Sequence, residues 1–169
     1  MDLHTIAIRP LAAADLPAVE RDLSPDHPSK HARRFERQER GEGLYLIAWD
    51  GSRPIGHVFV EWESEPFGPP ELALHTIPYF IDFYVLPNYR SLGVGTRLLH
   101  ALERECVERG YRRLCCAVAA NNVRAQVLYG RLGYRDSGIG LSHFAYNYVD
   151  EDGRERTYEE DRYYLVKPL

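Results

Sequence analysis

With 169 residues and a formal net charge of -4, the chain is long enough for one domain, and a domain of this size buries roughly 70% of the surface its unfolded form exposes. Acidic and basic residues are interspersed, so no basic stripe is offered to DNA or RNA, and no run of about twenty apolar residues is present to cross a membrane. Three cysteines, Cys106, Cys115 and Cys116, make neither an even disulfide set nor a CxxC pair, and residues 1–10 lack the basic start and apolar run of a secretion signal; together these predict a reducing cytoplasm.

In chain order, Thr5 to Arg9 reads as a strand. Asp15 can then cap a helix whose first turn tolerates Pro17, because an N–H there has no helical partner in any case. Ser29 to Arg40 reads as a second helix, ended by Gly41, with Phe35 as its one sizeable apolar residue and its arginines on a solvated face. It carries Lys30, which with Lys167 makes up all the lysine of an otherwise arginine-using chain, a bias expected of a GC-rich bacterial genome. Leu44 to Trp49 and Ile55 to Trp62 are apolar runs joined through Asp50-Gly51, which predicts two antiparallel strands and a tight turn. Proline and acid dominate Glu63 to Ile77, which reads as a loop, and Pro78 to Leu86 is an apolar, aromatic strand stopped at Pro87.

Val94 to Arg109 places Leu98, Leu99, Leu102 and Cys106 at helical spacing, with Gly110 as its stop. Tyr111 to Ala119 is a strand. Asn122 can cap a helix running to Leu132 and ended by Gly133. Ser142 to Val149 and Arg162 to Val166, around Asp152-Gly153, predict a closing hairpin. No repeat or linker divides the chain, so residues 1–169 are expected to form a single domain.

The informative segment is IDFYVLPNYRSLGVGTRLL, in which a strand, a short loop and a helix start follow one another directly. Glycines let the backbone approach a ligand, the first helical N–H groups lack acceptors, and the helix dipole favours negative charge, so this order makes an anion site. Arg90 adds a permanent cation able to hold two phosphate oxygens. A dinucleotide-binding loop would need a third glycine where Leu98 stands, and a Walker loop would need lysine with serine or threonine where Thr96 and Arg97 stand. The histidines are scattered without metal-ligand spacing, and no metal is implied.

VLPNYRSLGVGTRLL resembles the R-x-x-G-x-G motif of the GNAT N-acetyltransferase superfamily, through Arg90, Gly93 and Gly95, and NNVRAQVLYGRLGY, from Asn121 to Tyr134, resembles its second signature. The resemblance is strong from Phe80 to Tyr134 and looser before it. It implies a three-layer α/β domain with a mixed, mostly antiparallel sheet splayed at the acetyl-CoA site and helices on both faces. It also implies acetyl-CoA as co-substrate, held by Tyr84 and Val85 on the strand, by Arg90 and the Leu92, Gly93, Val94, Gly95 and Thr96 loop, and by Asn122 and Tyr129. Asn121 could replace Asn122 against the pantetheine arm.

The chemistry implied is transfer of an acetyl group to a primary amine by direct attack in a ternary complex. The Val85 N–H would polarise the carbonyl and Tyr129 would protonate the departing thiolate. A neutral amine requires proton removal, for which Asp82 and Glu61 are the candidates; strand alternation puts Asp82 on the face of Tyr84, opposite Ile81 and Phe83. Polyamine-acetylating relatives have adjacent carboxylates here, whereas this chain has Ile81 before Asp82. Acids at Glu61, Glu63, Glu65, Glu71 and Asp82 favour a small cationic acceptor, a polyamine, aminoglycoside or amino-acid-like amine, over a peptide N-terminus or protein lysine. A cysteine-borne acetyl group through Cys115 or Cys116 lacks a base of fitting spacing. A silent acyl-CoA sensor is the rival from another class. Dimerisation is common in the family, and the sequence offers no geometry for it.

Overall fold

The computed structural model describes residues 6–23, 29–63, 74–149 and 152–169. Along the chain run β1 (Ile6–Pro10), α1 (Leu16–Leu23), α2 (Ser29–Glu39), β2 (Gly43–Asp50), β3 (Arg53–Glu61), β4 (Tyr79–Val85), α3 (Val94–Glu108), β5 (Arg113–Ala119), α4 (Val123–Arg131), β6 (Arg135–Val149) and β7 (Glu155–Pro168). The strands form one sheet in the order β1-β2-β3-β4-β5-β7-β6. Every neighbouring pair is antiparallel except β4 and β5, which run parallel because α3 crosses over between them.

Strand β2 shows why the sheet is covered on both faces. Leu44, Leu46 and Ala48 join the core under α3 and α4, with Val94, Leu98, Leu102 and Tyr129, whereas Tyr45, Ile47 and Trp49 join the core under α1, with Val19 and Leu23. An unbroken apolar run therefore fits a central strand buried on both sides. A third cluster, Leu74, Ile77, Cys115 and Tyr164, closes the sheet near β7. The helix stops at Gly110 and Gly133 take the expected left-handed backbone, at φ +87° and +94°.

Several expectations are corrected. Asp15 does not cap α1: its carboxylate reaches back to the Arg9 guanidinium and accepts the Ala12 N–H at 3.2 Å, in a 3-10 turn that leads into the helix. The arginines of α2 are not all on a solvated face, because Arg34 and Arg37 turn inward to Asp82 and Glu61. The last hairpin is longer than its apolar pattern: β6 begins at Arg135, and Gly138 and Gly140, at φ +95° and +75°, break the alternation where its register on β7 shifts. Of the expected loop from Glu63 to Ile77, residues 64–73 lie outside the described residues, as does Thr5 of the first strand, and Leu74–Thr76 forms a 3-10 turn.

Candidate active site

Strands β4 and β5 pair only at Tyr79↔Cys115 and Phe80↔Cys116 and then part, leaving a gap lined by unpaired main chain. Which amides face it follows from the other edge of β4. Leu86 donates to the Ile55 carbonyl on β3 at 2.9 Å, and successive amides alternate, so the Val85 N–H and C=O point into the gap. Gly56 lets β3 approach β4 this closely, since a Cβ there would lie 2.8 Å from the Tyr84 carbonyl oxygen.

Beyond Val85 the chain makes a 3-10 turn at Pro87–Tyr89 and enters the glycine loop. Gly93 takes φ +82° as the N-cap of α3, and Ser91 also has a positive φ of +63°. The first helical amide with a partner in α3 is Arg97, which donates to the Gly93 carbonyl at 3.0 Å, so the N–H groups of Val94, Gly95 and Thr96 precede any intrahelical acceptor. Three free amides at the positive end of a 15-residue helix fit a pyrophosphate. Gly95 has a second reason to lack a side chain: a Cβ would lie 2.9 Å from Cζ of Phe83. Arg90, expected on phosphate, turns its Nε to the Val85 carbonyl at 2.8 Å and lies over the Tyr84 ring, 5.4 Å from its centroid. Leu92 is exposed beside it.

On the α3/α4 side of the sheet stands Tyr129, buried among Phe80, Phe83 and Tyr134 at ring separations of 5.7, 6.2 and 5.7 Å. Burial raises its pKa well above the ordinary tyrosine value, so it keeps its proton at neutral pH. Asn122 caps α4 by accepting the Ala125 N–H at 3.1 Å, and Asn121 is exposed next to it. The thiols are inert: burial pushes Cys106 and Cys115 up to about 12, and Cys116 well above its usual value.

On the opposite side, Asp82 breaks the strand. It has φ +53°, and His57↔Tyr84 and Phe59↔Ile81 leave one extra β4 residue between them, a bulge. The expected alternation is thereby corrected at Ile81: Asp82 lies on the same side as Ile81, which packs in the α1 core, while it stays opposite Phe83, which packs in the α3 core, as expected. Its two carboxylate oxygens accept from Lys30 Nζ at 3.2 Å and Arg34 Nε at 3.0 Å, both from α2. Burial opposes its ionisation, yet His57, Arg34 and Lys30 outweigh this and hold its pKa below the ordinary aspartate value. Glu61 lies opposite Tyr79, at the closed end of the gap, and accepts from Arg37 at 2.6 Å.

Beneath Asp82 lie two histidines that the sequence did not single out. His57 and His31 are fully buried; His31 Nδ1 bonds the Tyr45 hydroxyl at 2.6 Å, and His57 Nδ1 stands 3.8 Å from Asp82. Burial pushes His57 down to about 3 and His31 down to about 4, so both are neutral near pH 7. Arg124 was missed as well: it donates to Ser91 Oγ at 3.0 Å and ties the start of α4 to the glycine loop. A basic residue two places after a helix-capping asparagine was the available signal. Among the described residues no cluster of three metal-ligating side chains occurs, and no helix is long and apolar enough to cross a membrane.

Comparison with known proteins agrees with this geometry. In sequence the chain is 36% identical over 77 residues to a thialysine N-epsilon-acetyltransferase of Bos taurus, a match covering 46% of this chain and 45% of that protein, so less than half of the relative is spanned. In structure it matches a ribosomal-protein-alanine N-acetyltransferase of Brucella melitensis with a TM-score of 0.70 and 21% identity, over 96% of this chain and 99% of that one. A GNAT family acetyltransferase of Elizabethkingia anophelis, solved with acetyl-CoA bound, matches with a TM-score of 0.60 and 15% identity over 98% and 99% of the two chains. The model of the acetyltransferase (GNAT) family, whose acetyl donor is acetyl-CoA, matches residues 7–134, which hold the parted strands, the glycine loop and Tyr129, and the chain belongs to that family.

Proposed function

We propose that the protein transfers an acetyl group from acetyl-CoA to a primary amine by direct attack within a ternary complex. The observation that carries this reading is the continuity of one surface: the free amides of Val94, Gly95 and Thr96 lead back through the loop to the Val85 N–H in the gap. Acetyl-CoA would supply a thioester, an acetyl donor reactive toward an amine without further activation by metal. Val94, Gly95 and Thr96 hold phosphate, and Val85 donates to the carbonyl oxygen as negative charge grows there. Tyr129, protonated and on the other side of the gap from Asp82, gives a proton to the leaving sulfur and takes one back from the nitrogen that has attacked, a return its raised pKa requires because a thiol of pKa about 8.5 is the stronger acid. Buried, protonated thiols at Cys115 and Cys116 favour direct attack over a cysteine-borne acetyl group.

For proton removal from the amine, Asp82 is the carboxylate at the gap, but its lowered pKa leaves it a weak base, and Glu61 is held on Arg37. We assign that proton to solvent water and give Asp82 the task of holding α2 against the bulge. The cationic-acceptor reading weakens on the same ground. Two of its five acids are neutralised by ion pairs, and Glu65 and Glu71 lie outside the described residues. A small amine remains the favoured acceptor.

Tyr129→Phe tests the assignment of the acid. Retained coenzyme A affinity with turnover reduced about a hundredfold is expected. Full turnover in this variant, with chemistry shown to limit the rate, would return Tyr129 to a purely packing role.

A further inference from the structure

Helix α2, Ser29–Glu39, brings Lys30, Arg33, Arg34 and Arg37 against Glu36 and Glu39. Two of these cations meet at one point: Lys30 Nζ and Arg34 Nε each take one oxygen of the same carboxylate, Asp82. That carboxylate stands two residues past Phe80, the last β4 residue paired with β5, and so at the mouth of the gap. It lies on the side opposite Phe83 and Tyr129.

The charges at this point do not cancel. Lys30 and Arg34 contribute two positive charges and Asp82 one negative, while His57 and His31 beneath them are neutral, so the cluster is net positive. Both cations remain accessible, with side chains 26% and 17% exposed. An ammonium has three donors, and among the described residues Lys30 uses one on Asp82. Arg34 bonds through Nε, leaving its two terminal nitrogens, with the guanidinium over the Phe59 ring at 5.1 Å. The positive end of the α2 dipole, where Lys30 sits in the first turn, adds to the same field. In a chain that uses arginine almost throughout, lysine at position 30 supplies a compact point charge with freely rotating donors.

A dication approaching from this side would meet repulsion and, among the described residues, find Asp82 already shared by two cations and Glu61 held by Arg37. An amine that also carries a carboxylate would find donors for it beside the gap. We propose that Lys30 and Arg34, gathered on Asp82, form a subsite for a carboxylate of the acceptor, so that the acceptor is an amine bearing a carboxylate and not a polyamine. This rests on the acetyl-transfer reading above for the identity of the gap as the reacting site.

The test uses matched amines that differ in a carboxylate: L-lysine against 1,5-diaminopentane, and L-ornithine against 1,4-diaminobutane. Coenzyme A release is followed with acetyl-CoA, and binding of each amine to the coenzyme-A-loaded protein is measured by calorimetry. For the native protein kcat/KM is expected to be at least about tenfold higher for the carboxylate-bearing member, and in Lys30→Gln the ratio is expected to fall toward one through a rise in KM. Arg34→Gln, with thermal melts to confirm folding, should act in the same direction and stands in if Lys30→Gln fails to fold. Equal or better use of the diamines overturns the subsite while leaving acetyl transfer intact. If no amine releases coenzyme A, the acetyl-transfer reading is what fails, and calorimetry still decides the subsite: carboxylate binding that Lys30→Gln abolishes supports it, and no preference for the carboxylate overturns it.

Discussion

Gly93, Gly95 and Asn122 were legible as backbone positions because their constraints are local, whereas Tyr129 was singled out only through the resemblance of its segment to the family's second signature. A left-handed N-cap, a helix start after a strand and an asparagine cap are each written within a few positions. The reason for Gly95 was not legible, since phosphate clearance suggested itself and the Phe83 ring, twelve residues earlier, did not. The two glycines consequently fail in different ways. Gly93→Ala is expected to strain the backbone by about 1–2 kcal/mol through its positive φ and to weaken coenzyme A binding by distorting the loop. Gly95→Val should also destabilise the fold by about 1–3 kcal/mol, because Phe83 is packed against Phe80 and Tyr129 and has little room to move. Urea denaturation separates the two mechanisms: a Gly95→Val variant as stable as the native protein would show that the Phe83 contact is relieved easily.

Between elements, the contact of α2 with the β4 bulge is what the sequence concealed. A period-two reading of β4 assumes unbroken alternation, and one bulge at Asp82 put it on the face of Ile81; polar α2 looked solvated because its inward partners lie far along the chain, 24 residues away for Arg37 and 48 and 52 for Arg34 and Lys30. Asp82→Asn would leave Lys30 and Arg34 close together without their counter-charge, which is expected to cost about 1–2 kcal/mol at this partial exposure. Turnover should fall with the loosened bulge while the alkaline limb of the pH profile stays in place, and a shifted limb would instead identify Asp82 as the base. The histidines below give this contact an acid limit. Unfolded His57 binds a proton near 6.5, but in the folded chain only near 3, so unfolding takes up protons between those values and stability is lost as pH falls below about 6.5. At pH 5 this amounts to about 2 kcal/mol. Asp82 acts in the same sense, since its depressed pKa gives stability that is present above the ordinary aspartate value of about 3.9 and lost on further acidification. Urea midpoints at pH 7 and pH 5 should differ less in His57→Leu than in the native protein, and an equal difference would remove His57 from the acid response.

At the scale of the whole molecule, the seven strands and four helices of the described residues followed in the expected order, because β2 is an unbroken apolar run, α3 carries a helical period, and Asp50-Gly51, Gly110 and Gly133 mark ends plainly. What no local pattern could supply was long-range: that β7 inserts between β5 and β6, and that β4 and β5 part after one short contact, which only the family resemblance implied. The parted strands matter most for function, since they expose the Val85 main chain beside the amides of Val94 to Thr96 and leave Tyr129 and Asp82 on opposite sides of one opening. That opening either performs acetyl transfer or only binds coenzyme A. The most direct measurement is to incubate the protein with acetyl-CoA and the amines above, quantify released thiol, and identify the acetylated amine by mass spectrometry in the same samples. Stoichiometric thiol and N-acetylated amine, both dependent on protein, are predicted. Coenzyme A that binds tightly and weakens with Gly93→Ala, but with no thiol released for any amine, would contradict the account and show a binding protein in place of an enzyme.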